Sequence, residues 1–179
     1  MNGRVMGIIL AWACTVSAPA QNPVVYTDVT PDSGIQFVHT DGSGGRYFIT
    51  ETVASGLGLL DYDLDGDLDI YFVNGAPLPG TESQEPPLDR LYRNDGNWKF
   101  TDVTLQAGVG DPGYGIGCAV GDYDNDGDPD LYITNCGPNV LYRNNGDGTF
   151  SDVTEMAGVG DRQFGAGAGF ADFDGDGWL

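Results

Sequence analysis

Apolar residues in this chain fall into short runs separated by turns rich in Gly, Asn and Asp, and the stretch 117–154 shows the arrangement in full. Gly117 to Gly121 leads into a polar loop, and Leu131-Tyr132-Ile133-Thr134-Asn135 leaves it. Asn139 to Arg143 forms a third run. Asn144-Asn145-Gly146-Asp147-Gly148 then supplies residues that tolerate positive φ, and Thr149 to Thr154 follows as a fourth. Four short strands within about 50 residues predict one blade of a β-propeller. A solenoid of β-turns is the competing architecture, but its repeats are usually shorter. Outside the N-terminal segment no stretch shows a helical period of apolar positions.

The pattern repeats. Leu91-Tyr92-Arg93-Asn94 recurs as Leu141-Tyr142-Arg143-Asn144, and Ala107-Gly108-Val109-Gly110-Asp111 as Ala157-Gly158-Val159-Gly160-Asp161. Phe100-Thr101-Asp102-Val103-Thr104 recurs as Phe150-Ser151-Asp152-Val153-Thr154, with an earlier copy at Tyr26-Thr27-Asp28-Val29-Thr30. The expected organisation is a signal peptide over 1–20 and a repeat region over 21–179. Unit 1 covers about 26–99, unit 2 covers 100–149, and an incomplete unit 3 covers 150–179. A Pro-rich insertion, Ala76 to Leu88, lengthens the first unit. Because a propeller needs at least four blades, the expected fold is all-β: a partial propeller of four-stranded blades, truncated in its third unit and continuing into further blades of the same protein.

Composition narrows the partners. A net charge of −20 disfavours nucleic acid and anionic membrane surfaces. Nine Tyr, eight Phe and three Trp are too many aromatics for a disordered acidic segment. Arg4, the apolar run Val5 to Val16 and the small residues Ala18-Pro19-Ala20 read as an export signal too short to span a bilayer. The expected location is therefore secreted, periplasmic or at the cell surface, with no transmembrane span. Of the cysteines, Cys118 and Cys136 lie beyond that signal and are expected as two free, buried thiols.

The acid is concentrated in three loops. The first holds Asp61, Asp63, Asp65, Gly66, Asp67 and Asp69; the second holds Asp122, Asp124, Asp126, Gly127, Asp128 and Asp130. The third holds Asp172, Asp174, Asp176 and Gly177. Calcium takes six to eight oxygens at about 2.3–2.6 Å. Aspartates at positions 1, 3 and 5 supply short carboxylates, and glycine at position 6 permits the turn back towards the ion. The position-7 carbonyl (Asp67, Asp128, Trp178) and the position-9 carboxylate (Asp69, Asp130) complete the expected set. The aromatic at position 2 (Tyr62, Tyr123, Phe173) is expected to anchor the loop in the core. Position 12 is Phe72 or Ile133 rather than the Glu of an EF-hand, so the loop joins two strands. Magnesium fits less well, because it demands octahedral geometry and keeps its waters.

These loops, with Phe164-Gly165-Ala166-Gly167-Ala168 and the Leu141–Thr154 segment, resemble FG-GAP/VCBS repeats, the calcium-loop blades of integrin-α-type propellers. More narrowly, residues 26–179 are similar to the ASPIC/UnbV, or cartilage acidic protein, family through Phe37-Val38-His39, Glu51-Thr52, Ser55-Gly56 and Leu59-Leu60-Asp61-Tyr62-Asp63. The resemblance implies a secreted propeller, structural calcium in the loops, and binding or adhesion to an extracellular protein or glycan.

Catalysis is the alternative, with this chain as the propeller portion of a carbohydrate- or lipid-active extracellular enzyme. Paired carboxylates can serve glycoside hydrolysis, but every tight carboxylate cluster here is accounted for by a metal loop. His39 is the only histidine, which excludes a His-based zinc site. Gly113, Gly115 and Gly117 precede a strand rather than a helix, unlike a dinucleotide fingerprint. Arg93 and Arg143 recur with the repeat, as packing residues do.

Overall fold

The computed structural model describes residues 24–53, 55–78, 80–81 and 87–179. The signal-peptide reading of 1–20 lies outside them, as does part of the Pro-rich insertion. Among the described residues, eight strands form two four-stranded antiparallel sheets. The first contains β1 (Leu57–Leu60), β2 (Asp69–Phe72), β3 (Arg90–Asn94) and β4 (Phe100–Asp102) in sequential order. The second repeats that meander with β5 (Gly115–Gly121), β6 (Asp130–Asn135), β7 (Val140–Asn144) and β8 (Phe150–Asp152). This is the all-β, propeller-like architecture expected from the repeat. The sheets are out of phase with the repeat units, because each unit boundary falls just before a sheet's fourth strand.

Registers match between copies: Tyr92 lies opposite Asp102 and Asn94 opposite Phe100, as Tyr142 lies opposite Asp152 and Asn144 opposite Phe150. Polar side chains end these ladders. Thr104 Oγ1 accepts the N–H of Leu91 (2.9 Å), and Asp102 Oδ1 accepts the N–H of Thr104 (3.0 Å). Thr154 and Asp152 do the same for Leu141. The chain then makes one helical turn, α2 (Thr104–Ala107) or α3 (Thr154–Ala157), stopped by a left-handed Gly108 or Gly158. A related turn, α1 (Thr30–Ser33), precedes the first sheet, where Asp28 Oδ1 accepts the N–H of Thr30. Thr154, expected at the end of a strand, instead opens a helical turn.

The sheets meet along their first strands. Gly56 N–H donates to the Ile116 carbonyl (2.9 Å), and a Cβ on Gly58 would lie 2.9 Å from Cys118 Sγ. Leu60, Tyr71, Val73 and Leu91 join Leu131, Ile133, Tyr142 and Phe150 in one buried cluster. Cys118 lies opposite Ile133, three residues short of Cys136, so the strand register does not pair the two thiols. Cys118 is half-buried, and burial pushes its thiol up to about 11. Cys136 is exposed, contrary to the expectation of two buried thiols, because it lies past the end of β6. Residues 158–179 contain the third loop and an isolated bridge between Phe164 and Cys136.

Candidate metal centres

Each of the first two aspartate loops joins the first two strands of its sheet, and backbone amides shape it from inside. Asp61 accepts the N–H groups of Asp65 and Gly66, both at 3.0 Å. Asp122 accepts those of Asp126 (3.1 Å) and Gly127 (2.9 Å), and Asp172 those of Asp176 (3.1 Å) and Gly177 (2.8 Å). At position 5, Asp65, Asp126 and Asp176 each accept the N–H two residues on. Two left-handed residues close the turn. Gly66, Gly127 and Gly177 have φ of 93°, 98° and 94°. A Cβ on any of them would meet nothing within 4 Å, so backbone conformation, not crowding, requires glycine there. Position 4 is also left-handed, at Leu64 (58°), Asn125 (56°) and Gly175 (78°). The aspartate spacing alone did not reveal that requirement, although Asn125 and Gly175 signalled it.

Position 9 closes the loop from the strand side. Asp69 is fully buried, and its carboxylate accepts the N–H of Tyr62 (3.0 Å) and of Asn94 (2.7 Å). Asp130 repeats this with Tyr123 and Asn144, both at 2.8 Å. Asn94 and Asn144 are functional residues that the loop motif did not identify; their signal was the recurring Leu-Tyr-Arg-Asn.

The carboxylates converge in threes. One oxygen each from Asp61, Asp63 and Asp69 lies within 4.8 Å of the others, and Asp122, Asp124 and Asp130 form the same set. In the third loop Asp172, Asp174 and Asp176 converge, all exposed. Asp65, Asp67, Asp126 and Asp128 fall outside these sets. The Asp128 carboxylate points to the β7–β8 turn, where a Cβ on Gly146 would lie 2.6 Å from its Oδ2.

The electrostatics favour a cation. Burial pushes Asp69 and Asp130 up to about 6 against the hydrogen bonds that hold their charge. Burial and then neighbouring aspartates raise Asp63 and Asp124. Asp124 Oδ1 is buried without a hydrogen-bond partner. An all-oxygen donor set with an unpaired buried carboxylate oxygen suits a hard divalent cation. Asp172 is instead lowered, chiefly by the Gly177 N–H.

The loops also tie the sheets together. The Tyr62 ring is buried and stacks on Phe150 of β8, with centroids 6.2 Å apart, while Asn144 Nδ2 donates to the Tyr62 carbonyl (2.8 Å). The position-2 aromatic thus anchors its loop in the following sheet. Tyr123 is half-buried beside Ala157, Val159 and Phe170, around a cavity of about 510 Å³. Phe173 is 95% exposed, contrary to expectation, since the ring takes its contacts from a neighbouring sheet rather than its own loop.

His39 Nε2 lies 3.1 Å from Ser55 Oγ, but that hydroxyl donates to the Gly115 carbonyl (2.8 Å). The serine proton therefore points away from the imidazole, opposite to an activated nucleophile.

A family model described as an FG-GAP-like repeat matches residues 61–133 and, in a second overlapping copy, residues 122–179. No match is found among curated proteins.

Proposed function

Because the chain belongs to the FG-GAP-like repeat family, we propose that it is a secreted calcium-binding propeller protein acting in extracellular binding or adhesion. The observation that carries this reading is the recurrence of one carboxylate set in successive loops, with Asp69 and Asp130 fixed by the same backbone donors. Asp61, Asp63 and Asp69 would hold one ion, and Asp122, Asp124 and Asp130 another. The ion would neutralise carboxylates that otherwise repel one another, so its role is structural. Phe37-Val38-His39 and the Leu59–Asp63 run support a narrower place in the ASPIC/UnbV family, and the apolar segment within 1–20 supports export. The protein is read as non-catalytic, supported by the orientation of Ser55.

With extracellular-type affinity near ~10⁻⁴ M and calcium near ~1 mM, each site adds roughly 1.4 kcal/mol by mass action. Calorimetric titration of the chelator-treated protein is expected to show calcium binding, with a melting temperature that falls in excess chelator. An unchanged melt overturns the structural role.

A further inference from the structure

A second polar network recurs in both sheets, away from the loops, and its first copy ties the first sheet to the segment entering the second. In the second sheet, Asn139 Oδ1 accepts the N–H of Asn135 (2.9 Å), and Asn139 Nδ2 lies 3.0 Å from the Tyr132 hydroxyl. That hydroxyl lies 2.7 Å from the Val159 carbonyl oxygen. The direction of the chain is fixed, because an amide nitrogen only donates. The Tyr132 oxygen accepts from Asn139, and its single proton goes to Val159.

In the first sheet the same places are taken by Asp89, Asn74, Tyr71 and Val109. Asp89 Oδ1 accepts the N–H of Asn74 (2.7 Å). The Tyr71 hydroxyl lies 3.1 Å from Asp89 Oδ2 and 2.8 Å from the Val109 carbonyl oxygen. Tyr71 therefore has two oxygens facing it and one proton to give. The chemical difference between the copies at this position is a carboxyl group where an amide stands.

We propose that Asp89 is held as the neutral carboxylic acid in the folded protein, donating to the Tyr71 oxygen as Asn139 donates to Tyr132. Its ionisation at alkaline pH is then a switch that loosens the joint between the two sheets.

The surroundings agree. Asp89 and Tyr71 are both fully buried. Around Asp89 stand Tyr71 on β2, Asp111 on the segment entering β5, Cys118 on β5 and Tyr142 on β7. Asp111 is occupied by the Asn135 amide (2.7 Å) and the Gly113 N–H (3.0 Å), and adds negative charge. Arg90, next along the chain, directs its guanidinium to Asp102 at 3.5 Å instead. Burial, reinforced by Asp111, pushes the Asp89 carboxyl up to about 8.

The sign follows from linkage. An unfolded aspartate releases its proton near pH ~4. The contribution to stability is therefore complete below that pH and is lost as pH rises to about 8, at roughly tenfold in the folding constant per pH unit.

The test compares the full chain with Asp89→Asn, the amide the second sheet already uses, in saturating calcium. The loop carboxylates are common to both proteins and cancel in the difference. A small advantage in melting temperature for the variant at pH 5, growing to a clearly larger one at pH 8.5, is expected. A difference that does not change with pH overturns the proposal. Infrared spectroscopy of the wild-type protein decides independently of the variant's folding. A protonated-carboxyl stretch at pH 7.5, above the range in which Asp69 and Asp130 hold protons, that disappears by pH 9.5 is expected, and its absence at pH 7.5 overturns the proposal.

Discussion

Asp124 and Asp130 belong to one carboxylate set, yet their removal is expected to have different consequences. Asp130 accepts two backbone N–H groups, from Tyr123 and Asn144, in a fully buried position. In Asp130→Ala both donors lose their partner, at about 1–3 kcal/mol each. The burial that raises Asp130 to about 6 offsets part of this, which places the expected loss near ~2 kcal/mol without calcium. Calcium adds the lost ion, roughly 1.4 kcal/mol more. Asp124 has an unpartnered Oδ1, and burial, then the charges of Asp126 and Asp122, raise it. Asp124→Asn should therefore be neutral or slightly stabilising in chelator, and should lose roughly 1.4 kcal/mol in calcium. Urea unfolding of both variants, followed by circular dichroism with calcium and with chelator, separates the two roles. Equal stability of the two variants in chelator refutes the assignment of Asp130 as a backbone latch.

Two further outcomes are expected. Without calcium, the raised Asp69 and Asp130 stabilise the fold fully below about pH 4 and lose that contribution as pH rises through about 6. Calcium requires the ionised form, so its affinity should climb over the same interval; titrations at pH 5 and 7.5 check the opposite signs. Leu64 is exposed and left-handed, so Leu64→Gly should gain about 1 kcal/mol in urea unfolding by relieving backbone strain. No gain would show that the Leu64 side chain makes a compensating contact.

The loops and the meander were legible because their signals are local. Aspartates at fixed spacing and a recurring Leu-Tyr-Arg-Asn strand are contained within a few residues each. Less was legible where the partner is distant in sequence. Tyr62 and Phe173 occupy the same motif position, yet one is buried and the other exposed, because the contact that buries Tyr62 comes from Phe150. The helical turns at Thr104 and Thr154 were missed because four residues are too few to show a helical period. Their mark was chemical: Asp102 and Asp152 each sit two residues before a threonine whose N–H they accept. In the site, Asp67 and Asp128 carry carboxylates that the spacing could not assign to a direction. Their position beside the hairpin turns at Gly96 and Gly146 emerges only with the fold.

Asn144 has a consequence that reaches past its own sheet. Its backbone N–H holds Asp130 of the second loop, while its side-chain amide holds the Tyr62 carbonyl of the first. One fully buried residue therefore belongs to the walls of two aspartate loops. In the language of one-dimensional lattices, each loop is a spin coupled to its neighbour through such a residue. Calcium in such an array would order the repeats in sequence, setting the stiffness of the joint along with its stability.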